Sequence, residues 1–169
     1  RMYLRHFGLR EAPFSGQPGT RALFCHDRQR LAVNELRAAL GRNQGAVLLT
    51  GAPGSGKSTL CRLLLRSLPA NAEVLLIGRP PRSFRELLER LLALPRFAFV
   101  DAGASTVELA EHLAAALVRV RKRGRLPILI IDDAHELQGT AFEELGTFRQ
   151  HERGDQAAFG LLLVGREDL

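Results

Sequence analysis

With 169 residues, 46% of them hydrophobic and 25% charged, the chain is long enough for one domain with a sizeable core and too short for two ordinary ones. Its apolar residues come in short blocks, none long enough to span a membrane, and no basic start with an apolar core and cleavage site opens the chain, so a soluble cytoplasmic domain is expected. A net charge of +6, carried almost wholly by arginine, permits an acidic partner such as nucleic acid or an anionic membrane surface without requiring one.

Residues 1–44 read as an N-terminal arm and helix leading into a core at 45–169. The arm, residues 2–26, mixes aromatic residues with turn formers and keeps neither helical nor strand period. Its aromatics suit either packing or the wall of a pocket. Asp27 then caps a predicted helix to about Leu40, with Leu31, Val33, Leu36 and Ala39 apolar and Gly41 as its stop. Cys25 and Cys61 match no metal or redox spacing and read as reduced thiols.

The most informative stretch follows. The apolar strand Ala46-Val47-Leu48-Leu49-Thr50 runs straight into Gly51-Ala52-Pro53-Gly54-Ser55-Gly56-Lys57-Ser58-Thr59, and a helical pattern begins at once (Leu60, Leu63, Leu64). Strand, Gly-x-x-x-x-Gly-Lys-Ser loop and helix form the phosphate-binding P-loop in its required context. Glycines let successive amides turn inward as an anion nest, and the helix that follows adds unpaired N–H groups and the positive end of its dipole. Lys57 is expected to reach the β- and γ-phosphates of ATP, with the Ser58 hydroxyl on Mg²⁺.

After a helix over 57–68 and a turn at Pro69-Ala70-Asn71, residues 73–77 read as a buried strand. Ser83 and Glu86 have capping-box spacing and open a helix to about Leu94; residues 97–100 read as an edge strand or an extended connection. Ser105 and Glu108 repeat the capping box, starting a helix to about Arg123 that Gly124 closes. Arg119, Arg121, Lys122, Arg123 and Arg125 cluster at its end, as a solvated helix terminus or a binding patch. No aromatic residues interleave with them to stack bases, which weakens a nucleic-acid reading.

Leu126 to Ile131 reads as a strand buried on both faces, ending in Asp132-Asp133-Ala134-His135. In open α/β sheets ligands bind at the carboxyl ends of strands, so both acids belong near the P-loop. Asp132 fits the Walker B role on Mg²⁺, and Asp133 the role of polarising the attacking water. Thr140 and Glu143 suggest a third capping box for a helix to about Gln150, with Phe142, Leu145 and Phe148 inward. A polar loop at 151–156 precedes a fourth buried strand over 157–164, ending in Gly165-Arg166-Glu167.

Together these motifs resemble the AAA+ ATPases of the general secretion pathway protein A (ExeA-like) family. The resemblance rests on Met2-Tyr3-Leu4 with Phe7-Gly8-Leu9 and Pro13-Phe14, the P-loop with Thr59-Leu60-Cys61-Arg62, Ile130-Ile131-Asp132-Asp133-Ala134, and Leu162-Leu163-Val164-Gly165 with Glu167 and Leu169. It implies a three-layer α/β/α fold of the P-loop NTPase (ASCE) type around a parallel sheet of order 5-1-4-3-2, of which this chain supplies strands one to four. Strand five and a helical lid would lie beyond Leu169, leaving the P-loop strand as an open edge, and a membrane span and often a peptidoglycan-binding region would follow. It further implies an ATP- and Mg²⁺-dependent homo-oligomeric ATPase at the inner face of a bacterial inner membrane, serving assembly of a secretin or pilus complex. Three positions depart from the family pattern. Asp133 replaces a glutamate, Arg166 a glutamine after strand four, and Gln150 an asparagine. Arg149 and Arg153 are arginine-finger candidates by location. Other readings of the same core are a DNA-directed AAA+ regulator of the transposition target-selection type, a small-molecule kinase, and a nucleotide-binding scaffold that hydrolyses ATP very slowly.

Overall fold

The structure, a computed structural model, describes residues 26–42, 45–97, 103–151, 159–167 and 169, with Gln150 and His151 described in backbone only. The aromatic arm and most of the expected 97–100 segment lie outside the described residues. The chain divides into two compact units, Arg1–Ala32 and Val33–Leu169. Of the first, the described part is the start of helix α1 (Asp27–Arg42) with His26 before it, where the His26 carbonyl accepts from the Arg30 amide at 3.0 Å.

Strand β1 (Ala46–Thr50) follows, then helix α2 (Lys57–Ser67), strand β2 (Ala72–Ile77), helices α3 (Phe84–Leu92) and α4 (Thr106–Lys122), and strand β3 (Leu126–Ile131). A 3₁₀ turn (Ala134–Glu136), helix α5 (Gly139–His151) and strand β4 (Gly160–Gly165) complete the order. The four strands among the described residues pair in parallel in the order β1-β4-β3-β2. This is the α/β fold that the sequence predicts, with strands one to four in the order that the resemblance implies.

Period-2 alternation along the central strands builds the three layers. On one face Leu129 and Ile131 of β3, with Leu161 and Leu163 of β4, pack with Leu87, Leu88 and Leu91 of α3, Leu113 and Leu117 of α4, and Leu145 of α5. The other face carries Ile128, Ile130, Leu162 and Val164 against Leu36 and Leu40 of α1 and Cys61 and Leu64 of α2. Each fully buried leucine contributes about 1.5–3 kcal/mol relative to an exposed one, which makes this double layer the main source of stability. The edge strands are different. Leu48 of β1 is 53% exposed and Leu76 of β2 is 51% exposed, each strand having a neighbour on one side only among the described residues.

Helix α4 starts as expected. The Ser105 hydroxyl accepts from the Glu108 amide at 3.2 Å, and the Glu108 carboxylate accepts from the Ser105 amide at 2.7 Å. Those amide and hydroxyl contacts hold the Glu108 carboxyl below its ordinary range. Their contribution is full above the unfolded value and is lost as pH falls through the lowered folded value. Ser105→Ala is expected to lower stability by about 1 kcal/mol, read as a shift in denaturant midpoint at constant slope.

Several local expectations are corrected. At α3 the Ser83 hydroxyl caps Glu86, but the Glu86 carboxylate bonds the Arg82 amide and Arg90, so the box is only half formed. Gly41 lies inside α1, which runs on to Arg42. Thr140 is not a cap: α5 begins at Gly139, and the Phe142 amide donates to the Gln138 carbonyl. Phe142 does not point inward but is 41% exposed, since the buried face of α5 runs through Ala141, Leu145 and the partly buried Phe148, at helical spacing one position away. Strand β4 is described from Gly160, and the expected start at 157 lies outside the described residues. Among the described residues no helix is long and apolar enough to cross a membrane.

Candidate functional site

The parallel sheet brings the carboxyl ends of β1 and β3 to one side, and an open cleft of about 450 Å³ lies there. Its lining is Pro53, Gly54, Gly56, Lys57, Ser58 and Thr59 from the glycine-rich loop, Asp132, Asp133 and His135 after β3, and Arg166 after β4. Three segments far apart in sequence meet because β4 inserts between β1 and β3.

The loop owes its shape to two glycines. Gly54 (φ 77°) and Gly56 (φ 92°) are left-handed, a conformation costly for any residue with a Cβ. Gly56 stands at the N-terminus of α2 in that conformation, and no side chain caps the helix. The first-turn amides therefore remain available at the cleft, where the helix dipole is positive. Gly51, Ala52 and Ser55 do not line the cleft; they form the frame behind it. The Ser55 amide donates to the Ala52 carbonyl at 3.2 Å, and a Cβ on Gly51 would come within 3.0 Å of the Ser55 hydroxyl. Lys57 Nζ donates to the carbonyls of Gly51 at 2.7 Å and Ala52 at 2.9 Å, which fixes the ammonium over the loop with a third N–H to offer.

The two acids differ. Asp132 extends β3, its amide donating to the Ile77 carbonyl at 2.9 Å, and it is partly buried. Its Oδ1 accepts from the Asp133 amide at 3.0 Å. Asp133 is exposed and holds φ 52°, the only left-handed residue besides glycine among the described residues. That turn reverses the chain into the 3₁₀ segment, where the Asp133 carbonyl accepts from the Glu136 amide at 2.9 Å. Gly165 permits the close approach of this turn to β4: a Cβ there would stand 3.2 Å from the His135 amide nitrogen and 3.1 Å from Leu169 Cδ2. Beneath the site the Cys61 thiol is buried, and that burial, with a smaller push from the Asp132 charge, raises it to about 11. Cys61 is thus an inert thiol in the floor.

Sequence reading gave no role to His135, which lines the cleft with its Nδ1 buried and without a hydrogen-bond partner among the described residues. Its position two residues past the second acid was the available signal. Arg166, read as a departure from a family glutamine, faces the same cleft. Arg149 lies elsewhere: its Nη2 donates to the Gly45 carbonyl at 2.9 Å, just ahead of β1, at the opposite end of that strand from the glycine-rich loop. Burial there lowers its guanidinium from the usual range. Arg153 and the Gln150 side chain lie outside the described residues.

Known proteins share both the sequence pattern and the fold. General secretion pathway protein A of Aeromonas hydrophila is 31% identical over 171 residues, covering 99% of this chain. The chain spans only 30% of the length of that relative. Among solved structures, Cdc6p from Pyrobaculum aerophilum is similar with a TM-score of 0.66 and 25% identity, over 90% of this chain and 42% of that one. The Aeropyrum pernix ORC2 protein, solved as ADPNP-ADP complexes, gives a TM-score of 0.59 at 13% identity, over 89% and 42% respectively. The family described as AAA domain matches residues 40–169, from the end of α1 through the last strand, and the chain belongs to that family.

Proposed function

We propose that the chain is the ATP-binding and ATP-hydrolysing core of an AAA+ ATPase, and that it powers or switches assembly of a secretion or pilus complex of the bacterial envelope from the cytoplasmic face of the inner membrane. The observation that carries the catalytic half is the meeting of Lys57, Ser58, Asp132 and Asp133 in one cleft beside uncapped helix amides. The assembly half rests on the likeness to general secretion pathway protein A and extends to envelope partners and a homo-oligomer.

The loop amides and Lys57 hold the β- and γ-phosphates and stabilise charge that grows on them as the bond to the γ-phosphorus breaks. Ser58 and Asp132 would hold Mg²⁺. This donor set suits that ion: both residues line the cleft, and two oxygen ligands leave room for water and phosphate oxygens, as magnesium prefers. Bound there, Mg²⁺ would neutralise phosphate charge. Asp133 accepts a proton from the attacking water as its oxygen bonds to the γ-phosphorus, and the bond to the β-phosphate oxygen breaks to release ADP and phosphate. Asp133 favours this hydrolysis over a kinase reading, which would place a substrate hydroxyl where the water sits.

The chain is expected to release phosphate from ATP in the presence of Mg²⁺ and to stop when the metal is chelated. Binding of a fluorescent ATP analogue without any phosphate release would leave a nucleotide-binding scaffold instead.

A further inference from the structure

Helix α4 carries opposite charges on its two halves, along a single exposed face. At the N-terminal half an open groove of about 690 Å³ runs between α4 and α5, with Phe84, Ala110, Ala114 and Phe148 forming its apolar lining. Glu111 of α4 and Glu143 and Glu144 of α5 also line it, and among the described residues none of the three takes part in an ion pair. On a chain of net charge +6 this is a local inversion of sign. Val107 at its edge is 68% exposed, so among the described residues the groove is uncovered apolar surface rather than a fault in the core.

Toward the other end of α4, Val118 is 41% exposed, with exposed Arg119 and Lys122 beside it. Neither of these two is ion-paired among the described residues. Eleven residues separate Val107 from Val118, about three helical turns, so both valines lie on one face, with Glu111 and Ala114 between them and Lys122 beyond. The stripe therefore passes from acidic to basic, with Ala114 and Ala115 near its middle.

We propose that the chain self-associates as a two-fold dimer, in which the Val118, Arg119 and Lys122 end of α4 from each copy occupies the acidic groove of the other. A second copy is the occupant because the surface complementary to the groove sits on the same helix and the same face. A single two-fold operation then lays two α4 helices antiparallel and makes both contacts at once. The paired alanines near the crossing let the helices approach, and the two valines cover apolar surface on the partner. This surface is separate from the nucleotide cleft and does not depend on the function proposed for it.

Sedimentation equilibrium of the 169-residue chain is expected to show a reversible dimer that weakens as salt rises to about 0.5 M. Glu143→Lys/Glu144→Lys makes the groove basic, and Arg119→Glu/Lys122→Glu makes the helix end acidic. Each double variant alone is expected to be monomeric. Mixed in equal amounts they are expected to dimerise, because both contacts of the mixed pair are again between opposite charges. Two misfolded chains would not restore each other, so the mixture also controls for folding. Lys57→Ala is expected to dimerise like the parent. A parent chain that stays monomeric to about 100 µM overturns the proposal. So does a dimer indifferent to both reversals, a mixture that stays monomeric, or an association lost with Lys57→Ala.

Discussion

Lys57→Ala is expected to lower the rate of ATP hydrolysis by about 10²–10³-fold, the loss seen when one preorganised donor to a developing charge is removed. The geometry explains why the effect falls on rate. Two of the three ammonium hydrogens are committed to the carbonyls of Gly51 and Ala52, which sets the position of the charge before substrate arrives. A group already fixed in place loses little entropy on meeting a phosphate, and its attraction strengthens as negative charge moves toward the leaving oxygen. Alanine removes this charge yet leaves Gly54 and Gly56 to shape the loop, so the thermal melt is expected to change little. Steady-state phosphate release, measured beside a melt, separates the two effects. Hydrolysis that survives the substitution undamaged would show that this loop is not where the phosphates are held.

The sequence made the centre of the molecule more legible than its margins, for physical reasons. Strands β3 and β4 are buried on both faces, so Ile128 to Ile131 and Leu161 to Val164 had to be unbroken aliphatic runs. The glycine-rich loop was legible because left-handed turns at Gly54 and Gly56 exclude other residues. The start of α5 was misread because spacing alone cannot say whether a threonine stands before a helix or inside it, and Thr140 is inside. Phe142 was misread because a helix of three turns shows too few apolar positions to fix its rotation. The left-handed Asp133 and the approach of Gly165 to His135 depend on how β3 and β4 end side by side, which no local pattern encodes. His135 therefore reached the cleft unannounced.

Asp133→Asn is expected to lower the turnover of ATP by about 10²–10⁴-fold while nucleotide binding persists, if this carboxylate takes the proton of the attacking water. Asparagine has the same shape and tolerates left-handed backbone, so the turn between β3 and the 3₁₀ segment keeps its form and only proton acceptance is lost. A companion substitution separates chemistry from structure. At φ 52° Asp133 bears a conformational cost, smaller than that of most residues with a Cβ, that glycine does not. Asp133→Gly should thus melt at a higher temperature than the parent while hydrolysing ATP as slowly as the asparagine variant. A gain in stability joined to a loss of turnover is what backbone strain held at a working residue produces. The opposite pairing, a less stable glycine variant with parental turnover, would show that Asp133 serves the turn and that the proton goes elsewhere in the cleft, which His135 also lines.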